Sequence, residues 1–494
     1  MEQRLGSTDH AMMHQPRSDP EPTPRHAPIR LPGLAWRRFG LLALVIGSTT
    51  LAVERILKLV LADGFSPLDA ITLVLFAATF AWIAVAFWTA LAGCTLRALG
   101  RNPLSLNRGA VTADDSAGPT GLRTALVMPI CHEDVARVSA GLEATWRDLR
   151  ATRTRECFDA FVLSDTVDPE TAAAEAAAVT ELRRRLPAGQ RIFYRRRRQS
   201  TGRKAGNIAD FCRRWGGRYD ALVVLDADSI MSGDTLLTLV RTLAANPTAG
   251  ILQTVPLPIQ STTRFARCLQ FAAHLYSPML ATGMSFWQGD TANYWGHNAI
   301  IRMSAFADHC GLPSLPGRGP LAGDILSHDF VEAALMRRAG WHVYLLPNLG
   351  GSYETLPATL LDYARRDRRW AEGNLQHLRL IGARGLHPLS RLYFVMGAMA
   401  YGCSLLWLLI LAVTTLGAVL NAVGRAHAGA LHPQWSAETT GTMVLLITAV
   451  VSMLVLPKLL ALGLCLADRD RRRAFAGGLR ASIDTLREFL FSVV

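Results

Sequence analysis

Lysine is nearly absent from this chain. Of its 52 lysine and arginine residues only Lys58, Lys204 and Lys458 are lysine, so the net charge of +13 rests on arginine. Arginine is the side chain that grips phosphate in a fork, although genome bias alone also enriches it. Charge of either sign is scarce at 18%, against 50% hydrophobic residues. That balance excludes a disordered chain, and it points to membrane spans before anything else. The eight cysteines, at 94, 131, 157, 212, 268, 310, 403 and 465, are scattered and form no Cys-x-x-Cys pair. This excludes a disulfide-dense secreted scaffold and an ordinary structural zinc site, and it fits a reducing cytosol. Apolar material is scarce in residues 1–30, which are rich in Pro, His, Arg and Ser. The first apolar run starts only near Phe39, so a disordered cytosolic tail is expected rather than a cleaved signal peptide. No internal repeat is visible.

Four runs are long and apolar enough to cross a bilayer: 39–61, 68–95, 392–420 and 441–466. The first contains Glu54, Arg55 and Lys58, the last Pro457 and Lys458. Arg30, Arg37 and Arg38 precede the first run, and Arg97, Arg101 and Arg108 follow the second. Arg469, Arg471, Arg472 and Arg473 follow the fourth, whereas loop 62–67 has no basic residue and loop 421–440 only Arg425. Basic loops stay on the cytoplasmic side, which places the tail and the region between spans two and three in the cytosol. The expected division is a tail (1–30), two spans (31–100), a cytosolic domain (101–390), and two more spans plus the start of a further hydrophobic segment (391–494). The stretch Phe489–Val494 gives that last part an unfinished look, as though a longer relative carried more spans.

Between the spans, short apolar runs alternate with helical stretches. Strands are expected at 124–130, 159–165, 192–196, 221–226 and 250–255, with helices at 135–152, 169–186, 207–214 and 234–245. This alternation is the mark of an α/β domain with a mainly parallel sheet, whose site lies at the carboxyl ends of the strands.

Four acidic motifs fall at such ends. Val223-Val224-Leu225-Asp226-Ala227-Asp228 closes a buried run with two aspartates two residues apart. While the chain stays extended they point the same way and suit a divalent cation carrying a diphosphate; a plain turn is the other reading. Phe161–Asp165 ends another run in Asp165, and Val127–Ile130 leads through Cys131 and His132 to Glu133. Each suits a base or ribose, and each also suits a turn or helix cap. Ser327-His328-Asp329 precedes the helical stretch 331–338 and reads either as an N-cap or as a general base near a sugar hydroxyl. Of the basic motifs, Arg195–Arg198 followed by Arg203-Lys204-Ala205-Gly206-Asn207 suits a diphosphate at a helix start, or a solvated charge run. Arg365-Arg366-Asp367-Arg368-Arg369-Trp370 combines a flat ring for a sugar with phosphate-binding forks, or forms a juxtamembrane basic helix. The arginine runs lack interleaved aromatics, so no nucleic-acid partner is expected.

The order Glu133, Asp165, Asp226-x-Asp228, Asp329, Arg366-x-x-Arg369-Trp370 resembles the processive inverting glycosyltransferases of family 2, which include the cellulose, chitin and hyaluronan synthases. The resemblance covers about residues 118–400. Val127–Cys131, Phe193–Arg198, Tyr294–Arg302, Ser327–Gly340 and Arg366–Asn374 are closer still to one branch, the glucosyltransferases that build the β-1,2-linked backbone of osmoregulated periplasmic glucans.

The resemblance implies a GT-A type domain inserted between transmembrane segments of the bacterial inner membrane. It implies UDP-glucose as donor, a growing glucan as acceptor, and membrane lipid around the spans. An acyl carrier protein and a periplasmic glucan-modifying protein are partners implied by the family alone. Glu133 and Asp165 would hold uridine, with Lys204 and Asn207 near the nucleotide. Asp228 would bind Mg²⁺ or Mn²⁺, supported by Asp226. Asp329 would be the base, Arg369 would stabilise departing UDP, Trp370 would stack on the acceptor, and Gly296–Arg302 would form the acceptor floor. Two motifs depart from the wider family. Ser327-His328-Asp329 replaces Thr-Glu-Asp and keeps the base. Arg366 replaces the Gln that opens Gln-x-x-Arg-Trp, which puts the acceptor contacts of a cellulose synthase in doubt and fits another linkage. Rival readings are another polysaccharide synthase of the family and a truncated, non-catalytic UDP-sugar-binding membrane protein.

Overall fold

The structure, a computed structural model, describes residues 31–62, 65–104, 106, 121–152, 157–427 and 437–493. The expected tail 1–30, with Arg30, and Arg108 lie outside these residues. Two helices open the described chain, α1 (Leu34–Ala62) and α2 (Pro67–Ala98). Strands and helices then alternate: β1 (Thr124–Ile130), α3 (Val135–Ala151), β2 (Phe158–Ser164), α4 (Pro169–Arg185), β3 (Ile192–Arg196), α5 (Arg203–Trp215) and β4 (Ala221–Val224). Next come β5 (Ile230–Met231), α6 (Gly233–Ala245), β6 (Ala249–Gln253), β7 (Leu257–Pro258) and α7 (Arg264–Gln288). They are followed by β8 (Ala299–Arg302), α8 (Met303–His309), α9 (His328–Arg338), β9 (His342–Leu345), β10 (Ser352–Glu354) and α10 (Leu360–Gln376). The chain continues in α11 (Pro388–His427), α12 (Ala437–Ala467), α13 (Arg469–Ala474) and α14 (Gly478–Val493).

The chain divides into two compact units. One takes in Leu104–His274 and Gln288–Val395, the other Pro32–Pro103, Leu275–Trp287 and Met396–Val494. The first unit holds a seven-stranded sheet in the order β3-β2-β1-β4-β8-β6-β9. Neighbours β3, β2, β1 and β4 run parallel, as do β6 and β9; β8 alone is antiparallel, to both β4 and β6. Every residue of β2, β4, β6 and β9 is buried, as continuous apolar runs covered on both faces require. The expected α/β domain with a mainly parallel sheet is therefore present.

Local chemistry sets the helix starts. Asp134, Asp168 and Ser232 each accept a backbone N–H of the first turn of α3, α4 and α6, and Pro169 opens α4. Helix α3 buries Val138, Leu142, Trp146 and Leu149, a stripe at helical spacing. Strand β4 stops at Val224, two residues short of the expected end. Strand β8, helix α7 and a small sheet of β5, β10 and β7 were not expected at all. Because β1, β2 and β4 are parallel, residues 131–133, 165 and 226–228 all follow strand ends on one sheet edge.

Among the described residues, four helices are long and apolar enough to cross a membrane: Leu34–Leu61, Pro67–Ala98, Pro388–Gly424 and Thr439–Ala467. Val45, Ala52, Phe80 and Ala84 form a cluster between α1 and α2, covered by Leu446, Val450 and Met453 of α12. A Cβ added at Gly93 would stand 2.0 Å from the Met279 carbonyl oxygen, so glycine is what lets α2 meet residues 275–287. Lys458 in α12 pairs with both Glu488 oxygens at 3.0 Å, and the Tyr276 hydroxyl donates to Glu488 at 2.7 Å. Residues 489–493 fall at the end of α14, whose exposed side carries Leu479, Leu486, Leu490 and Phe491.

Candidate active site

The sheet edge of the first unit gathers most of the residues singled out above. Past Val224 the chain leaves the strand, and Asp226-Ala227-Asp228 lies in a turn. The Ser229 hydroxyl shapes it by accepting the Asp226 N–H at 3.1 Å. The expectation that the two carboxylates share one direction in an extended strand is corrected by this turn: each has its own partners. Asp226 pairs with the Lys204 ammonium, which also donates to the Gly296 carbonyl at 2.9 Å. Burial pushes the Asp226 carboxyl up, but Lys204 beside it, with His297 and His328 further off, outweighs this and holds it down at about 2. Asp228 Oδ2 instead accepts the Thr355 hydroxyl at 2.9 Å and the Thr355 N–H at 3.3 Å, and stands 3.5 Å from Arg137.

Gly296 links this turn to Asp329. Its φ of +86° is a backbone region that side-chain-bearing residues avoid. A Cβ built on it would lie 3.6 Å from the Asp329 carboxylate and 3.7 Å from Lys204 Nζ. Asp329 sits in the first turn of α9 and makes no hydrogen bond or ion pair among the described residues. A carboxylate left without a partner at a sheet edge is available to take a proton. Ser327, at the cap position of α9, makes no side-chain cap bond. Its carbonyl lies 2.8 Å from His377 Nε2.

On α10, Arg366 lies over the rings of Tyr363 at 5.3 Å and Trp370 at 4.4 Å. Trp370 is 42% exposed, and Arg369 is exposed with no ion pair among the described residues. These two offer a ring face and a free fork.

The uridine-side residues are tied up more than the sequence suggests. Asp165 is buried, and both its oxygens are held by the Arg197 guanidinium, at 2.7 and 2.5 Å. Asn207 is buried and donates to the Leu163 carbonyl at 2.8 Å, which staples α5 to β2; its Oδ1 has no partner. Glu133 caps its own loop by accepting the Cys131 N–H, and it lies within electrostatic reach of Asp226. In the run 195–198, Arg195 stands 3.4 Å from Asp210, Arg196 donates to the Thr166 and Val167 carbonyls, and Arg197 holds Asp165. Most of that run braces the strand ends instead of forming an open cationic loop.

Sequence reasoning missed Arg137, Thr355, Glu354 and Gly373. His297 was placed only within an acceptor floor; its Nδ1 lies 3.3 Å from the Ser229 hydroxyl and its Nε2 3.5 Å from Glu354. Burial pushes the Glu354 carboxyl up, with His297 opposing and the Asp228 and Asp226 charges adding to it.

Residues 125–310 match the family model described as Glycosyl transferase family 2, and residues 221–461 that described as Glycosyl transferase family group 2. Glucans biosynthesis glucosyltransferase H of Klebsiella pneumoniae is 44% identical over 468 residues, 94% of this chain and 54% of its own. The protein of that name from Ralstonia nicotianae is 45% identical over 467 residues, 93% of this chain and 53% of its own. That from Escherichia coli is 46% identical over 426 residues, 85% of this chain and 50% of its own. The chain spans about half the length of these curated relatives. Among solved structures, the mannosyltransferase PcManGT from Pyrobaculum calidifontis, in complex with GDP-Man and Mn²⁺, aligns with 78% of this chain and 99% of its own. Its TM-score is 0.48 and its identity 18%. The α/β domain described above therefore carries a match to glycosyl transferase family 2 over residues 125–310, and the chain is similar to these glucosyltransferases along most of its length.

Proposed function

We propose that this chain is a membrane-embedded inverting glucosyltransferase that uses UDP-glucose to build the β-1,2-linked backbone of osmoregulated periplasmic glucans. The observation that carries this reading is the meeting at Gly296 of an unpartnered carboxylate, Asp329, with the Lys204–Asp226 pair. One side offers a base, the other a charged platform for a nucleotide diphosphate. The names of the relatives support glucose transfer and glucan as product. The four apolar helices support a multi-pass inner-membrane protein, with residues 101–390 cytosolic between pairs of spans within 31–100 and 391–494.

The donor set at Asp228 fits a hard divalent cation. Thr355 and Arg137 both hold Oδ2, while Oδ1 has no hydrogen bond or ion pair among the described residues and leaves a hard carboxylate oxygen open. Mg²⁺ is commonly held by one or two carboxylates, with substrate phosphates completing the set. Asp228 would hold Mg²⁺ or Mn²⁺, with Asp226 in support. The ion would neutralise charge on the diphosphate.

In the reaction, Glu133 and Asp165 frame the uridine, while Lys204 and Asn207 order the nucleotide side. Asp329 takes the proton of the acceptor hydroxyl. That oxygen forms its bond to the anomeric carbon from the face opposite UDP as the bond to UDP breaks, which turns an α-linked donor into a β-linked product. Arg369 stabilises the charge on departing UDP, and Arg366 and Trp370 receive the acceptor sugar. The test is UDP release by purified, detergent-solubilised protein offered UDP-glucose, UDP-N-acetylglucosamine or UDP-glucuronate with Mg²⁺. Release from UDP-glucose alone, with β-1,2 linkages in the product, is expected. Release from another donor, or from none, overturns the reading.

A further inference from the structure

Next to the candidate base stands a buried charged pair that the reaction above does not use. His328 and Glu332 are one turn apart on α9, with Nδ1 and Oε2 3.0 Å from each other. Glu332 is 2% exposed and His328 8%. Their helix is buried almost all round, through Val331, Ala333, Ala334, Leu335 and Met336. Taking two charges out of water is costly, and a buried ion pair seldom repays that cost in stability. The pair therefore needs another explanation.

Geometry supplies one. Glu332 Oε2 faces Nδ1 of the imidazole as an ion-pair partner, without the alignment of a hydrogen bond. His328 makes no side-chain hydrogen bond among the described residues, so Nε2–H is a donor without a protein acceptor. His328 adjoins Asp329 in sequence, and its backbone is pinned through Ser327 by His377. Charges facing it come from two further elements, Lys204 of α5 and Asp226 after β4, and from Glu332 and Asp329 on its own helix. Tyr294 and His377 also face this carboxylate group. Burial pushes the imidazole down, but Glu332 outweighs it and leaves the group above its ordinary value.

We propose that His328, paired with Glu332, is a specificity-determining residue whose Nε2–H donates to a second hydroxyl of the acceptor sugar, beside the one that Asp329 deprotonates. The inference rests on the function proposed above and adds to it the residue that registers the acceptor. A cationic donor grips a hydroxyl more firmly than a neutral one. With Asp329 accepting from one hydroxyl and His328 donating to its neighbour, two adjacent positions of the ring are fixed, and with them the carbon that attacks.

The experiment measures binding of sophorose, a β-1,2-linked glucose disaccharide, to the detergent-solubilised chain in the presence of UDP, by calorimetry at about pH 6 and about pH 8.5. A histidine raised above its ordinary value is charged at the lower pH and loses the charge as pH rises through its folded value. Wild type is expected to bind sophorose roughly tenfold more weakly at the higher pH, the loss of one hydrogen bond to a charged group. His328→Gln is expected to bind as weakly at both, with UDP affinity unchanged. Because that variant leaves Glu332 unpaired, His328→Gln with Glu332→Gln is the companion that keeps no orphan charge; it should match His328→Gln. pH-independent binding by wild type, wild-type binding by the companion, or a parallel fall in UDP affinity overturns the inference. UDP release is read separately: release without this pH dependence sinks the inference and spares the function, and the converse spares the inference and sinks the function.

Discussion

Gly373 of α10 lies against Ser327 at the head of α9, so closely that a Cβ on Gly373 would stand 2.3 Å from the Ser327 hydroxyl and 2.6 Å from its N–H. Only a glycine lets the helix that carries Arg366, Arg369 and Trp370 meet the turn that carries Asp329. Gln376, one turn on, accepts the Leu326 N–H at 2.9 Å and fixes the same approach. Gly373→Ala should push the two helices apart, at about 1–3 kcal/mol for overpacking. We expect a lowered melting temperature together with a fall in UDP release. An alanine variant with wild-type melting and turnover would show that the contact yields without consequence.

Asp329 is the candidate base because it is without a protein partner and faces Gly296. Asp329→Asn keeps the shape and removes the proton acceptor. Turnover should fall by about 10²–10⁴, the usual worth of a positioned base. UDP-glucose binding should stay within about twofold, since the nucleotide platform lies with Lys204 and Asp226. Unchanged turnover removes Asp329 from the role.

The sheet was legible because its parallel strands are buried on both faces and read as unbroken apolar runs, Ala221–Val224 above all. Order along the chain then brought Glu133, Asp165 and Asp226 to one edge. What could not be read was anything set by distant segments. Strand β8 enters between β4 and β6 in the opposite direction from far along the chain, and β5, β7 and β10 are two or three residues long, too short to show a period. For the same reason Thr355, 127 residues from Asp228, and Gly373, which closes on Ser327, gave no local signal. The turn at Asp226–Asp228 was misjudged because a strand period was carried two residues past the point where pairing to β1 ends.

If a divalent cation works at Asp228, chelation with EDTA should abolish UDP release, and added Mg²⁺ or Mn²⁺ should restore it. Thr355 holds the carboxylate by two hydrogen bonds. Thr355→Val removes the hydroxyl one and should raise the Mg²⁺ concentration for half-maximal activity several-fold, with little change at saturation. Activity that survives exhaustive chelation would end the metal role.

The Lys204–Asp226 pair makes a prediction in pH. A carboxyl held at about 2 contributes stability above its unfolded value of about 3.9, and the contribution is lost as pH falls toward the folded value. Lys204→Met removes the main cation beside it. The gap in melting temperature between about pH 7 and about pH 3 should therefore narrow in the variant, and UDP-glucose affinity should fall about tenfold with the lost ammonium. An unaltered gap would mean that His297 and His328, the other basic side chains near Asp226, carry the effect.

Asp165 separates a binding role from a structural one. The Arg197 guanidinium holds both its oxygens, both side chains are buried, and Arg197 also donates to the Thr201 carbonyl at 3.0 Å and the Arg203 carbonyl at 3.1 Å. Removing one partner of such a pair leaves a buried charge alone, at a cost of about 3–5 kcal/mol. Asp165→Asn should therefore melt well below wild type, and the loop 197–203 that leads into Lys204 should loosen with it. If Asp165 also touches uridine, UDP affinity will fall further than in Arg197→Met, which disturbs the same loop but leaves the carboxylate in place. Equal losses in the two variants would assign Asp165 to bracing alone. A variant with wild-type melting but weakened UDP binding would assign it to the nucleotide, with Arg197 serving only to aim it.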